Sequence, residues 1–400
     1  MARKILVLLE SSTSGHLFVR AARGLGFTPV LLTASDGRYP NLSGEKLDAV
    51  LTDTSNIENI ASTIARLQRD APIAGILATA GVYAAAAAEL SRRYRLPGGD
   101  PRAIEACQNK FIQRETLRSS GQICPQYELV TSVSEGLAAS SAIGFPLIAK
   151  PAIGSGSTGV RLCGSKSELE NHLGTLFRLA GPEGVLIEEF LEGPEFSIET
   201  IGDHVLGITR KHLGGLPYFV EVGHDFPAIL PHQVAASIND TVLRALAALR
   251  LDFGPAHTEL RLTNKGPAII EVNPRMGGDM IPELVRLATG IDVVSEVIRL
   301  VTGHGIDLHV RSTRHASIRF LTPDSGGTVR WQANVDQVKR ITDVSEVELY
   351  VGEGSQLRWR GDYRDRIGHV IVAGDTEHHV EVSLAAALTH LGYRIERAAV

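Results

Sequence analysis

Apolar positions change their period along the chain, and the changes divide it into parts. Residues 4–10 (Lys-Ile-Leu-Val-Leu-Leu-Glu) form a short apolar run, followed by Ser11-Ser12-Thr13-Ser14-Gly15 and an amphipathic stretch to Gly26. That order predicts a strand, a Ser/Thr-capped helix and a second strand over Pro29 to Thr33. Strand and helix signals then alternate at Ala49 to Thr52, Ile57 to Gln68, Ile73 to Ala78 and Val82 to Arg93. Such alternation predicts a small doubly wound α/β domain. The Ser-rich first loop reads as a helix cap, with anion binding as the alternative.

Leu96-Pro97-Gly98-Gly99-Asp100-Pro101 punctuates the chain and marks a boundary. Helices are expected at Pro101 to Cys107 and Lys110 to Ser120. A period near two follows from Tyr127 to Ile208, interrupted by a helix over Ser165 to Leu179. Helical periods return at Val234 to Leu249 and Ile281 to Thr302. After Asp307 the pattern becomes short strands with Gly-rich turns, ending in a helix over Glu381 to Leu391. The expected organisation is an α/β domain over 1–97, a second domain over 98–309 with a subdomain at about 123–190, and an α+β cap over 310–400.

Between the helices of the second domain lies the pattern that carries most chemistry. Ala256-His257-Thr258-Glu259-Leu260-Arg261-Leu262 and Ile269-Ile270-Glu271-Val272-Asn273-Pro274-Arg275 alternate like half-buried strands. Asn264-Lys265-Gly266 reads as a three-residue hairpin loop between them. This pairing sets Glu259 opposite Glu271 and His257 opposite Asn273. Ile270 and Val272 are expected to face a core, because alternate residues of a strand share a face. Opposed Cβ atoms lie roughly 4.5–5.5 Å apart, where two carboxylates repel. Two carboxylates and an amide there suit a hard cation, Mg²⁺ shared with substrate phosphates. A solvated acidic hairpin is the alternative.

Pro146-Leu147-Ile148-Ala149-Lys150-Pro151 is an apolar strand with one cation, and it runs into Gly154-Ser155-Gly156-Ser157-Thr158-Gly159. The glycines match G-x-G-x-x-G, but that fingerprint requires a helix next, and Val160-Arg161-Leu162-Cys163 reads as a strand. A Gly-rich loop between strands is instead a flap whose backbone N–H groups fold over phosphates. Asp252-Phe253-Gly254 spells a kinase tripeptide, yet Lys150 precedes the glycines here, the reverse of the kinase order, and no His-Arg-Asp occurs. Val185-Leu186-Ile187-Glu188-Glu189-Phe190-Leu191 ends in acids and a turn before Glu195, an edge able to read adenine and ribose. An ordinary strand end is the alternative.

Composition narrows the class. The chain has 400 residues, 44% hydrophobic and 21% charged, so it is globular with more than one core. A net charge of −5 argues against nucleic acid as the partner. The basic and aromatic run Arg358-Trp359-Arg360-Gly361-Asp362-Tyr363-Arg364 is accordingly read as a charged hairpin. Cys107, Cys124 and Cys163 are odd in number and lack C-x-x-C spacing, which predicts reduced thiols and a cytoplasmic location. The apolar run Ile5 to Leu9 is too short for a signal peptide. No membrane span is expected.

Taken together, the lysine strand, glycine flap, acidic edge and acidic hairpin resemble the ATP-grasp superfamily of carboxylate–amine ligases. The resemblance covers motifs from Lys110 to Gly278, and the preceding α/β domain fits. It implies an N-terminal doubly wound α/β domain, an ATP-grasp fold and a C-terminal α+β cap. It further implies ATP contacts from Lys110, Lys150, Gly154, Ser155, Gly156 and Ser157, an adenine edge of Glu188, Glu189, Phe190 and Leu191, and Glu195 at the ribose. Metal ligands would be Glu259, Glu271 and Asn273, holding Mg²⁺ or, in its place, Mn²⁺. Arg275 would steady the reacting phosphate, with Gly277 and Gly278 beside the substrate.

Thr209-Arg210-Lys211-His212 and Tyr218 to Pro227 resemble the substrate region of L-amino acid ligases that make dipeptides. On this likeness His224 contacts a substrate carboxylate or the acyl phosphate; a satisfied structural histidine is the alternative. The implied reaction joins a small-molecule carboxylate and an amine through an acyl phosphate, releasing ADP and phosphate. The resemblance allows a homodimer without requiring one. Other classes stay open: a purine-pathway ligase, a biotin carboxylase-like component, or a non-catalytic ATP-binding protein.

Overall fold

The computed structural model describes residues 3–11, 15–35, 39, 42, 44–45, 47–179, 181 and 183–397. Most of the Ser-rich first loop, Ser12 to Ser14, lies outside the described residues. Strand Ile5–Leu9 sits in a parallel sheet between Thr28–Thr33 and Ile73–Ala78, with Asp48–Leu51 at the far edge. Every residue of Ile5–Leu9 is buried, because helices cover both faces of a parallel sheet. The strand order reverses between Ile5–Leu9 and Ile73–Ala78. The loops after Leu9 and Ala78 therefore flank a topological switch point, where such sheets bind ligands.

Helix Pro101–Cys107 starts on an Asp100 cap with proline at its first turn, and Lys110–Ser119 starts on Asn109, whose side chain accepts from the Phe111 and Ile112 N–H groups. A four-stranded antiparallel sheet follows, ordered Tyr127–Val130, Val185–Glu189, Leu147–Pro151, Arg161–Cys163. Two helices back it, Lys166–Leu179 as expected and Val133–Ile143, which the two-residue period had hidden. The missed signal was a cap: Ser132 accepts from the Glu135 N–H, while the Thr131 N–H donates to the Glu135 carboxylate.

The largest element is an eight-stranded antiparallel sheet. Its strands run Gly266–Asn273, Pro255–Thr263, Glu195–Ile201, His204–Leu213, Glu221–Phe226, His315–Leu321, Gly368–Gly374, Val344–Leu349. The last three come from beyond residue 310. The C-terminal segment is thus not a separate layer: it completes the central sheet and adds a three-stranded one of Gln356–Leu357, Gly327–Ala333 and Leu391–Glu396. The expected helix over Ile281 to Thr302 is two, Ile281–Thr289 and Val293–Val301, parted at Gly290 with φ +78°. Among the described residues no helix is long and apolar enough to cross a membrane.

The acidic hairpin pairs as expected at its base, Glu259 opposite Glu271 and His257 opposite Asn273. Its loop is shorter, with Thr263 opposite Gly266 and only Asn264 and Lys265 between. A bulge at Ile270 restores the register, since Leu260 pairs with Ile269 and Glu259 with Glu271. The bulge also turns Ile270 out of the core and into the cleft wall, beside Glu271.

Candidate nucleotide and acceptor site

A cleft of about 950 Å³, open solvent at its mouth included, lies between the small antiparallel sheet and the acidic hairpin. From the small sheet it is lined by Lys150, the flap residues Gly154, Ser155, Gly156 and Ser157, and Glu188, Glu189, Phe190 and Leu191. Lys110, Glu195, Glu259, Glu271, Asn273 and Arg275 complete the expected set. Three expected residues lie outside the lining: His224, Gly277 and Gly278.

The phosphate end is a lattice of matched charges. Lys150 and Arg114 both pair with Glu188, Arg114 at 2.5 Å, and all three are buried. Burial would push the Glu188 carboxyl up, but Arg114 and Lys150 outweigh it and hold it below the ordinary carboxylate range. Burial also lowers the Lys150 ammonium, which Glu188 opposes. The Glu188 side chain is therefore engaged in fixing two cations, not in presenting itself to adenine. Arg114 also donates to the Ile270 carbonyl at 2.7 Å, anchoring the bulge. Lys110 donates to the Gly154 carbonyl at 2.7 Å and lies 3.2 Å from Glu271, so one ammonium links the flap to the hairpin.

Glu195 and Glu259 belong to a second lattice centred on Lys211. Its buried ammonium lies 2.9 Å from Glu195, 2.8 Å from Glu259 and 3.4 Å from Glu221. Burial disfavours that charge, yet the three carboxylates raise it well above the ordinary lysine value. Arg261 takes the other side of Glu195 and donates to the Leu191 carbonyl at 2.8 Å. Its guanidinium lies over the Phe190 ring at 4.9 Å and the Phe219 ring at 5.5 Å, which forms an apolar, cation-edged slot. The acids facing the cleft are thus preorganised by cations behind them.

The candidate acceptor end is built around the turn Arg275 to Met280. Arg275 folds its side chain back to donate to the Met276 carbonyl, and Gly81, from the loop after Ala78, lies against it. Gly277 donates to Glu199 at 2.9 Å, and a Cβ there would meet Glu199 at 2.9 Å and His257 at 3.0 Å. His257 bridges Glu199 and Glu259; burial lowers its pKa, but these carboxylates raise it to about 9. Asp279 and Met280 are successive non-glycine residues at φ +54° and +61°, which costs of order 1–3 kcal/mol each.

What holds that turn is Arg366, which donates to both Asp279 oxygens at 2.6 and 2.8 Å. His224 is 1% exposed and meets the same carboxylate through Nε2 at 3.2 Å. Its ring packs beneath Asp279 and does not line the cleft, as a structural histidine would. Gly278 has open space around it.

The oxygen-only set Glu259, Glu271 and Asn273 converges on the cleft, and that donor chemistry fits a hard divalent cation. Family models match the same segments: the ATP-grasp domain over residues 143–283 and L-amino acid ligase C-terminal domain 2 over residues 319–396. This chain belongs to the ATP-grasp superfamily of carboxylate–amine ligases. ATP-grasp enzymes use ATP and divalent metal ions, and their ligases act on small molecules.

Within the superfamily the chain is like the L-amino acid ligases. It is 36% identical over 401 residues to the uncharacterised protein y4rH of Sinorhizobium fredii, covering 98% of this chain and 83% of that one. It is 23% identical over 286 residues to the L-arginine-specific L-amino acid ligase of Bacillus subtilis, 69% of each. The solved L-amino acid ligase of Bacillus licheniformis shares the fold with a TM-score of 0.85 at 23% identity, covering 99% of this chain and all of that one.

Arg114 and Arg366 carry no motif in the sequence, while Lys211 lies in the stretch resembling the substrate region and Arg261 on the hairpin strand, neither with an expected role of its own. Arg114 and Lys211 sit in a regular helix and strand where a cation looks like a surface residue. Two of their partners, Glu188 for Arg114 and Glu259 for Lys211, lie 74 and 48 residues away. Parity offered one signal: Arg210 and Lys211 are adjacent on a strand, so one must face inward.

Proposed function

We propose that this chain is an ADP-forming ligase that joins the carboxylate of an amino acid, or an acid like it, to an amine. It works in three parts, an α/β domain over 1–97, the ATP-grasp segment over 98–309 and the C-terminal segment over 310–400. The reading is carried by one observation: opposed carboxylates at the hairpin base lie between a lysine-held glycine flap and Arg275.

Lys110, Lys150 and the flap N–H groups align the triphosphate, so catalysis is placement together with charge stabilisation. Glu259, Glu271 and Asn273 would hold Mg²⁺, which supplies charge neutralisation across the β- and γ-phosphates. Phe190, Phe219 and Arg261 form the slot for the base, with Glu195 turned toward the ribose. A carboxylate oxygen attacks the γ-phosphorus, the bond to ADP breaks, and an acyl phosphate forms. The amine nitrogen then attacks the acyl carbon, phosphate leaves with the C–O electron pair, and the amine loses a proton. Arg275 stabilises the oxyanion between these states. The flap, drawn in by Lys110, keeps water from the acyl phosphate.

Two L-amino acid ligases among the relatives support the amino acid class, and free, buried Cys107 and Cys163 fit a reducing cytoplasm. The test is incubation with Mg-ATP and pooled amino acids, with hydroxylamine as trap. Hydroxamates, ADP and new amides in the mass spectrum are expected. ADP release triggered only by bicarbonate or a ribonucleotide, with no hydroxamate or amide from any pool, would overturn it.

A further inference from the structure

On the far side of the central sheet from the ATP cleft strands, Glu346, Glu348 and His369 bring three ligand atoms within 4.8 Å of one another. The sequence places them there by parity. Glu346 and Glu348 alternate on the edge strand Val344–Leu349, and His369 stands directly opposite Glu348 on Gly368–Gly374. A bulge at Ser345 precedes the pair and sets which face it takes.

Around Lys211, close carboxylates are matched by a shared ammonium. Here neither Glu346 nor Glu348 forms an ion pair with Lys or Arg among the described residues; Glu346 has His369 3.4 Å away, and the more distant charges of His16 and Arg20 also bear on it. The histidine is the second observation. His369 is 1% exposed, and its Nε2 is buried with no close hydrogen bond, Glu346 standing 3.4 Å from it. A buried imidazole nitrogen left unmade costs about 1–3 kcal/mol. Its other nitrogen, Nδ1, lies 2.7 Å from the Tyr350 hydroxyl. With Nδ1–H donating to Tyr350, Nε2 carries a lone pair aimed between the carboxylates. That is the arrangement in which metal-bound histidines are held, one nitrogen on the ion and the other fixed by an outer partner.

We propose that Glu346, Glu348 and His369 form a second, separate divalent-metal site that takes a borderline ion such as Zn²⁺. One imidazole and two carboxylates suit that ion better than the hard Mg²⁺ of the ATP cleft. Metal–ligand distances of about 2.0–2.2 Å need the three atoms to close up. Glu348, exposed at the sheet edge, is free to make that move. Three protein ligands leave a coordination position open toward solvent. The ion would pin the edge strand to its neighbour, and the rings of Phe320 and Tyr350 flank the histidine at 6.3 and 5.5 Å.

The test is a Zn²⁺ titration of the full chain by calorimetry, with ADP and excess Mg²⁺ present so that the cleft is filled. One Zn²⁺ per chain is expected, with a rise in Tm on binding. Glu348→Gln, at an exposed position that leaves packing untouched, should weaken that binding at least about tenfold, and His369→Gln should abolish it. Absence of saturable Zn²⁺ binding in the native chain, or binding of equal strength in Glu348→Gln with its circular dichroism unchanged, would overturn the proposal.

Discussion

The two ends of the cleft are built on different plans. At the phosphate end each cation is tied to an acid within the ATP-grasp segment, Lys150 and Arg114 to Glu188 and Lys110 to Glu271. At the acceptor end the turn Arg275 to Met280 is held by Glu199 and His224 within that segment and also from outside it, by Gly81 before it and by Arg366 after it. The difference is one of reach: the ion pairs around Glu188 stay within one segment, whereas the contacts around Asp279 and Arg275 draw on three parts of the chain.

Removing a hairpin acid should break both ends together. Glu271→Ala is expected to lower substrate-dependent ADP release by about a thousandfold, corresponding to roughly 4 kcal/mol of transition-state stabilisation, with circular dichroism unchanged. Near-normal turnover in that variant would remove the metal assignment.

Arg275→Ala separates the ends. Turnover should fall about a hundredfold or more while the Kd for ATP stays within about twofold. A collapse of ATP affinity would move Arg275 to the phosphate end. Arg366→Ala sharpens the comparison, since it releases Asp279 and leaves the Lys150, Arg114 and Glu188 cluster untouched, although it also frees Glu221 on the cleft wall. KM for the acid and amine should rise about tenfold, with ATP binding retained and a lower Tm from the unpaired carboxylate. Equal losses in ATP and acceptor binding would show the two ends to be one unit.

The smallest effect concerns the flap. Gly156, at φ +64°, lies so close to the Tyr363 ring that a Cβ would come within 2.7 Å of it. Ser157 donates to the Phe219 carbonyl at 2.9 Å. Tyr363→Ala should loosen this closed flap and raise acceptor-independent ATP hydrolysis a few-fold, measured as phosphate release without amine. An unchanged background rate would mean that the ring is a passive neighbour.

These contrasts also govern what could be read from the chain. Lys150 and the glycine flap are consecutive, and the paired acids lie on one hairpin, so alternation and turn chemistry carry them. The acceptor end joins Asp279 to an arginine 87 residues later, and no period spans that distance. His224 was legible as a special histidine but not in its role, because only the packed turn shows that it serves Asp279. Helix Val133–Ile143 escaped because its Ala, Ser and Gly residues give little contrast between faces. The single long helix over Ile281 to Thr302 was overdrawn because both halves carry the same apolar period across Gly290.

The bulge at Ile270 has a practical corollary. It separates the phase of the hairpin tip from that of its base, and Arg114 clamps the junction through the Ile270 carbonyl. The Asn264-Lys265 tip is consequently a graft point: an epitope or fluorophore-bearing peptide spliced there would alter the outer ladder while Glu259 and Glu271 keep their alignment.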